Sequence, residues 1–214
     1  MDTIKLSVLI ADDHAILRSG LKRLLSEMPE IDAVGEADNG DRVIQMVHDK
    51  HWDVVQLDLD MPGLDSLDVL RRVKMEHPDI AVLILSMYPE AQFAMRALKA
   101  GAAGYLNKTS ASEQLITAIR EVAKGGAYIS SQLAATLANS FNAKPMDTLN
   151  DLLTDREFAV LRGIVTGKSL VDIGHDLKLS AKTITTYRTR LLSKLKAHSN
   201  VDLVRYAEKI GLIK

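Results

Sequence analysis

The chain contains no cysteine and few aromatic residues, and these absences narrow the classes of protein that it can be. Without cysteine, disulfide frameworks and thiolate metal sites are excluded, which fits a reducing compartment. Aromatic residues make up only 4% of the 214 residues, so aliphatic side chains must build the core. No apolar stretch approaches the ~20 residues that a membrane helix needs, and no signal-peptide core precedes the first predicted strand. We therefore expect a cytoplasmic protein with no membrane partner.

Charge is distributed unevenly, although the chain as a whole has a net charge of −1. Residues 1–149 carry a net charge of −6, and residues 150–214 a net charge of +5. Residues 177–201 contain six basic residues and no acidic one. An acidic half joined to a basic half indicates that only the second half meets a polyanion. A solvated helix surface that is basic by chance would produce the same count.

Four short apolar runs in the first half each stop at a reactive polar residue. The runs are 8–11, 54–57, 81–85 and 104–107, and they are followed by Asp12 with Asp13, Asp58, Ser86 and Lys108. Such runs are typical of strands buried on both faces of a parallel sheet, whose carboxyl ends meet at one edge. We expect three carboxylates, one hydroxyl and one ammonium in a single crevice. Ionised together, the carboxylates need a cation such as Mg²⁺, and one of them could attack a phosphoryl group.

Strand and helix signals alternate through residues 1–126 and then stop. Five strands and five helices fit this stretch, which predicts an α/β domain with a parallel sheet. Residues 127–149 look like a linker with a possible short helix. Residues 150–214 show no strand signal and four capped helices, which predicts an all-α domain. A two-turn helix over 173–177, a three-residue turn over 178–180 and a longer basic helix that reaches about Lys196 form a helix-turn-helix pattern.

The longer basic helix of this pattern has one apolar and one polar face. At 100° per residue, Ile184, Tyr187, Leu191 and Leu195 fall together and must pack on the domain core. The opposite side is small, hydroxylic and basic, and it offers candidate DNA contacts at Lys182, Thr186 and Thr189, flanked by Thr185. Arg190 and Lys194, at its far edge, are further candidates. Threonines can meet base edges or thymine methyls in the major groove, while basic side chains hold phosphates. The alternative is that this side of the helix is simply exposed to solvent. Threonine is a poor helix former, and in that case nothing would explain why the helix contains so many.

Both halves resemble parts of one protein family. In the first half the matching segments are IADDH at 10–14, LDLDMPG at 57–63, LS at 85–86 and GYLNK at 104–108. In the second half they are LTDRE at 153–157, VL at 160–161, GKS at 167–169, Ile173, LS at 179–180, TI at 183–184 and KL at 194–195. The chain resembles two-component response regulators of the NarL/FixJ type. That resemblance implies a flavodoxin-like, doubly wound receiver domain and a LuxR-type helix-turn-helix output domain.

The resemblance also implies a role for each residue of the crevice. Asp58 would receive a phosphoryl group from a histidine kinase, and Mg²⁺ would be held by Asp13, Asp58 and the backbone carbonyl of Asp60, with Asp12 assisting through water. Ser86 and Tyr105 would follow the phosphoryl group, and Lys108 would contact it. The receiver would catalyse only its own phosphorylation and dephosphorylation, so the chain is not expected to be an enzyme in the usual sense. Phosphorylation would control homodimerisation and binding to double-stranded DNA, and thereby transcription.

Two other functions are compatible with parts of this pattern. The segment from Asp58 to Asp60 superficially resembles the Asp-x-Asp motif of haloacid-dehalogenase-type phosphatases, which suggests a metal-dependent phosphatase. That motif lies on the first strand of those enzymes, however, and here it lies on the third. A relay protein whose second domain binds protein instead of DNA is the other alternative, and the acid-free basic run argues against it.

Overall fold

The first half of the chain folds around a five-stranded parallel sheet, as the sequence predicts. The computed structural model describes residues 5–131, 133–135 and 152–213. The strands are β1 (Leu6–Ala11), β2 (Ile31–Ala37), β3 (Val54–Asp58), β4 (Ala81–Ser86) and β5 (Gly104–Asn107). They lie in the order β2-β1-β3-β4-β5, and every neighbouring pair is parallel. Because all five strands point the same way, their carboxyl ends line one edge of the sheet.

Helices cover both faces of the sheet and bury its alternating side chains. They are α1 (Ala15–Ser26), α2 (Gly40–Asp49), α3 (Ser66–Glu76), α4 (Glu90–Lys99) and α5 (Ala111–Ala123), with a short 3-10 helix at Lys108–Ser110. On one face, Ile10 and Leu85 pack with Leu25 and Ile119 of α1 and α5. The other face packs on α2, α3 and α4. The central strands are therefore buried on both sides, which is why they read as continuous apolar runs.

The second half is all-helical in its described part, and local capping explains where its helices begin. Its helices are α6 (Asp155–Val165), α7 (Leu170–Asp176), α8 (Ala181–Lys194) and α9 (Asn200–Lys209). Thr154, Ser169 and Ser199 each form a reciprocal capping box with the residue three positions later. Ser180 caps α8 by accepting a hydrogen bond from the Thr183 amide. These hydroxyls satisfy backbone donors that the first helical turn leaves unpaired.

Two predicted helix limits shift by a few residues. The short helix predicted over 173–177 begins earlier, at Leu170, directly after its Ser169 cap. The basic helix predicted to reach about Lys196 ends at Lys194, because Lys196 turns into the left-handed region with φ 51°. Most of the linker predicted at 127–149, with its possible short helix, lies outside the described residues. The domain limits at 126 and 150 therefore stay predictions.

The two domains pack against each other through α6. Asp155 pairs with Arg71 and Arg96 of the first domain, and the Phe158 ring meets the Phe93 ring edge-on at 4.9 Å between centroids. Helix α6 therefore lies against α3, α4 and the loop that follows β3. A search of the described residues finds no helix with the length and apolar character to cross a membrane.

Candidate functional site

The carboxyl edge of the sheet brings the predicted acidic residues together. Asp12 follows β1, and Asp58 ends the adjacent strand β3; their side chains are 0% and 1% exposed. Asp13 is exposed beside them. One ligand atom from each of Asp12, Asp13, His14 and Asp58 lies within 4.8 Å of the others. We call this group the acid pocket, and its oxygen-rich donor set suits a hard divalent cation.

Lys108 closes the acid pocket from the end of β5. Its ammonium nitrogen Nζ lies 2.6 Å from Asp12 Oδ2 and 2.7 Å from Asp58 Oδ2. Burial lowers the pKa of Lys108, but its bonds to the two carboxylates outweigh that effect, so the pKa is raised and the ammonium stays charged. The lysine therefore already supplies the point charge that a phosphoryl oxygen would need at this position.

Burial makes the negative charge of the acid pocket energetically unfavourable. Burial raises the pKa of Asp58 above its ordinary value, and the charge of Asp12 raises it further, while Lys108 and the Asp60 amide oppose that shift. Two buried carboxylates with one ammonium leave an uncompensated negative charge, and Asp13 adds another. A divalent cation bound by these oxygens would remove that cost, so the residues present fit a metal site.

A chain of contacts leads from Ser86, at the same edge of the sheet, to the predicted aromatic residue. Ser86, at the end of β4, accepts a hydrogen bond from the Tyr88 amide at 3.1 Å. Tyr105 is 1% exposed, and its hydroxyl donates to the Tyr88 carbonyl at 2.8 Å. Burial raises the pKa of Tyr105, which keeps it a neutral donor. Ser86 and Tyr105 therefore meet at Tyr88, a residue to which the sequence analysis assigned no role.

The loop after β3 is bound to the acid pocket through its backbone. The amide of Asp60 donates to Asp58 Oδ1 at 3.2 Å, so the residue that carries the predicted carbonyl ligand is bonded directly to that carboxylate. His14 was also missed as a neighbour of the site. Its Nδ1 lies 2.7 Å from Asp13 Oδ1 and 3.2 Å from Asp12 Oδ1. Its position directly after the acidic pair was the available signal.

On the second domain, α8 presents the predicted polar surface to solvent. Ile184 and Leu191 are fully buried against the other helices. We define the recognition face as the exposed residues Lys182, Thr185, Thr186, Thr189 and Arg190. Each of its three threonine hydroxyls donates to the carbonyl four residues earlier on the helix. With those donors satisfied, the threonines can offer methyl groups and acceptor oxygens to a base edge.

Lys194, the sixth predicted DNA contact, has a partner within its own domain. Its Nζ lies 2.7 Å from Oε2 of Glu157, whose side chain is 3% exposed. Burial raises the pKa of Glu157, but the bonds from Lys194 and Thr154 lower it more, so the net pKa is below its ordinary value. Lys194 thus joins the carboxyl end of α8 to the capping box of α6, and its contact with DNA stays a prediction.

Replacing Lys194 by methionine is expected to destabilise the second domain by roughly 1–2 kcal/mol, because a buried carboxylate loses its cation. Since the pKa of Glu157 is lowered on folding, this stabilisation is present above its ordinary pKa of 4.5 and is lost as pH falls through the folded value. Denaturant unfolding at neutral and acidic pH would measure both effects. Lys182→Met on the exposed end of α8 is the control, and an equal loss in both variants would contradict the role of Lys194.

Comparison with protein families agrees with the two-domain structure. Residues 8–120 match the response regulator receiver domain, and residues 151–207 match the bacterial regulatory proteins of the luxR family. Among curated proteins, the response regulator GacA of Pseudomonas syringae pv. syringae is 37% identical over 97% of this chain and 98% of its own length. The response regulator UvrY of Escherichia coli is 34% identical over 97% of this chain and 95% of its own length.

Solved structures of similar architecture also cover the whole chain. RcsB from Salmonella typhimurium has a TM-score of 0.79 at 24% identity and covers 97% of this chain and 98% of that chain. RcsB from Salmonella enterica serovar Typhimurium bound to promoter rprA has a TM-score of 0.73 at 23% identity, with 94% and 98% covered. A receiver domain followed by a LuxR-type regulatory domain is the architecture of a response regulator. This chain belongs to the two-component response regulators.

Proposed function

We propose that the chain accepts a phosphoryl group on Asp58 from a histidine kinase, in a reaction that requires Mg²⁺ in the acid pocket. The observation that carries this proposal is the contact of Lys108 with both Asp12 and Asp58 at the carboxyl edge of the sheet. A carboxylate oxygen of Asp58 would attack phosphorus, the bond from phosphorus to the kinase histidine would break, and the departing imidazole would take up a proton. When bound, Mg²⁺ would offset charge on the carboxylates and the phosphoryl oxygens.

The residues of the acid pocket divide this work between them. Asp13 and Asp58, with the Asp60 carbonyl, would hold the cation, and Asp12 would assist through water. Lys108, which contacts both carboxylates before transfer, would contact a phosphoryl oxygen after it. Ser86 would donate a hydrogen bond to another oxygen. Rotation of its side chain toward that oxygen would break its bond with the Tyr88 amide and shift Tyr88, whose carbonyl accepts a hydrogen bond from the Tyr105 hydroxyl. Such a movement is how a new local charge biases a bistable element.

We further propose that phosphorylation controls homodimerisation and the binding of double-stranded DNA by the recognition face, in the cytoplasm. Two observations support the DNA-binding part of this proposal. The recognition face is exposed, and a structurally similar chain, RcsB, has been solved bound to promoter DNA. The helix-turn-helix geometry would place the amino-terminal part of α8 in the major groove. Lys182 and Arg190 would then contact phosphates or base edges.

Lys182→Ala is expected to weaken DNA binding by roughly three- to tenfold and to reduce the slope of log affinity against log salt by about one. Fluorescence anisotropy with a labelled duplex, repeated over a range of salt concentrations, measures both quantities. Lys209→Ala removes an exposed lysine at the end of α9 and serves as the matched control. Binding that does not depend on salt, or an equal effect of both substitutions, would contradict the proposed recognition face.

A further inference from the structure

An arginine of the output domain reaches the receiver loop that directly follows Asp58 of the acid pocket. Arg162 lies on α6, and its Nη1 donates to the backbone carbonyl of Leu59 at 3.0 Å. Leu59 stands between Asp58 and Asp60, the two residues of the β3 end that are proposed to bind the cation. The output domain thus binds its guanidinium to the backbone of the residue that lies between these two in the chain.

Arg162 is held in this position by receiver side chains. Its Nη2 lies 3.6 Å from Asp65 Oδ2, and its guanidinium lies 5.7 Å from the centre of the Tyr88 ring. The side chain is only 18% exposed. Burial lowers the pKa of Arg162, but attraction to Asp65, Tyr88, Asp60 and Asp58 outweighs it. The charge is therefore retained, and Asp58 itself is among the groups that it acts on.

The Arg162 guanidinium brings a positive charge next to a site that needs negative charge to bind a metal ion. A positive charge near a bound divalent cation repels it, and the effect is larger where burial limits screening by water. Lys108 already offsets part of the negative charge from inside the pocket. Arg162 offsets more of it from the side, but only while α6 is packed on the receiver.

We propose that the positive charge of Arg162, a residue of the output domain, lowers the affinity of the acid pocket for Mg²⁺ when the two domains are packed together. This inference rests on the proposed function, because it takes the acid pocket as the Mg²⁺ site. Coupling between two binding events is reciprocal, so Mg²⁺ in the pocket weakens the packing of α6 on the receiver. The domain contact thus acts on the chemistry of the receiver.

The recognition face takes no part in this contact. Lys182, Thr185 and Thr189 are exposed while Asp155, Phe158 and Arg162 pack on the receiver. What packing changes is the electrostatic potential at Asp58, and through it the ease with which the receiver binds its cation.

Isothermal titration of the full chain with MgCl₂ tests the proposal. Arg162→Gln is expected to tighten Mg²⁺ binding by about three- to tenfold, which reflects removal of one nearby positive charge. Arg162→Lys keeps the charge and is expected to stay within about twofold of the unsubstituted chain. Arg156→Gln is the matched control, since Arg156 lies on the same helix and pairs with Asp68 of the receiver at 2.7 Å. Its Mg²⁺ affinity should not change.

The possible results separate this inference from the proposed function. Equal affinity in Arg162→Gln and the unsubstituted chain would overturn the role of Arg162 and leave the acid pocket as a Mg²⁺ site. An equal gain in Arg156→Gln would also overturn it, because domain separation in general, and not the charge of Arg162, would then be the cause. Absence of Mg²⁺ binding in the unsubstituted chain would overturn the pocket assignment itself, and this inference with it.

Discussion

Asp58→Asn is expected to abolish phosphoryl labelling of the chain, with a loss of roughly a hundredfold or more, because an amide is not a nucleophile toward phosphorus. The substitution also removes one carboxylate from the acid pocket and one of the two partners of Lys108. Incubation with a small-molecule phosphoryl donor and Mg²⁺, followed by intact-mass spectrometry, measures the labelled fraction. DNA binding by the variant should no longer respond to the donor.

The loss of labelling should arise from chemistry and not from unfolding. Burial raises the pKa of Asp58, which means that its ionised form is unfavourable in the folded chain, and a neutral isostere is tolerated there. Asp60→Asn is the matched control, since only the backbone carbonyl of Asp60 is proposed to bind the cation, and it should retain labelling. Labelling of Asp58→Asn equal to that of the parent would show that Asp58 is not the acceptor.

Gly174→Ala is expected to destabilise the output domain by roughly 2–4 kcal/mol, because the added methyl has no space in the turn between α7 and α8. A Cβ at Gly174 would lie 2.7 Å from the Leu179 carbonyl oxygen. That oxygen belongs to the backbone of the turn, and the Leu179 amide in turn donates to the Gly174 carbonyl at 2.8 Å. Relief of the contact therefore requires α8 to move relative to α7.

The same substitution should weaken DNA binding at least tenfold, since α8 carries the recognition face, while labelling of Asp58 should persist because Gly174 makes no contact with the acid pocket. Gly167→Ala is the control in the same domain: Gly167 has φ 83°, and no described atom lies within 4 Å of an added Cβ. It should cost only about 1 kcal/mol of backbone strain. Denaturant unfolding would rank the two variants. A smaller loss in Gly174→Ala than in Gly167→Ala would contradict the steric argument.

Much of the fold could be predicted because its signals are local. Strands β1, β3, β4 and β5 were visible as apolar runs, since a strand covered on both faces has no polar side. Helix starts at Thr154, Ser169, Ser180 and Ser199 were visible because a cap is made within three residues along the chain. The first residue of α7 and the last residue of α8 were predicted less well. The end of α8 depends on the conformation of a single turn residue, Lys196.

The candidate site divides in the same way. Asp12, Asp13, Asp58, Ser86 and Lys108 could be assigned to one crevice from sequence, because parallel strands must end at the same edge. Tyr88 was missed, since nothing in the sequence marks a backbone carbonyl as the acceptor for the Tyr105 hydroxyl. Lys194 was expected on the DNA-binding surface, and no local pattern indicated its pairing with Glu157, 37 residues earlier.

The sequence by itself determined the two domains, the order of strands and helices, and the chemistry available at the acid pocket and on α8. It did so because apolar periodicity, capping and strand ends act within a few residues. Only the tertiary structure decided that α6 packs on the receiver and that Arg162 meets the Leu59 carbonyl, 103 residues away along the chain. Such a contact depends on how the surfaces of two folded domains fit together, and no local sequence pattern on either surface indicates its partner. The acid pocket, which the sequence presents as a property of the receiver, thereby has a charge of the output domain bound at the residue that follows Asp58.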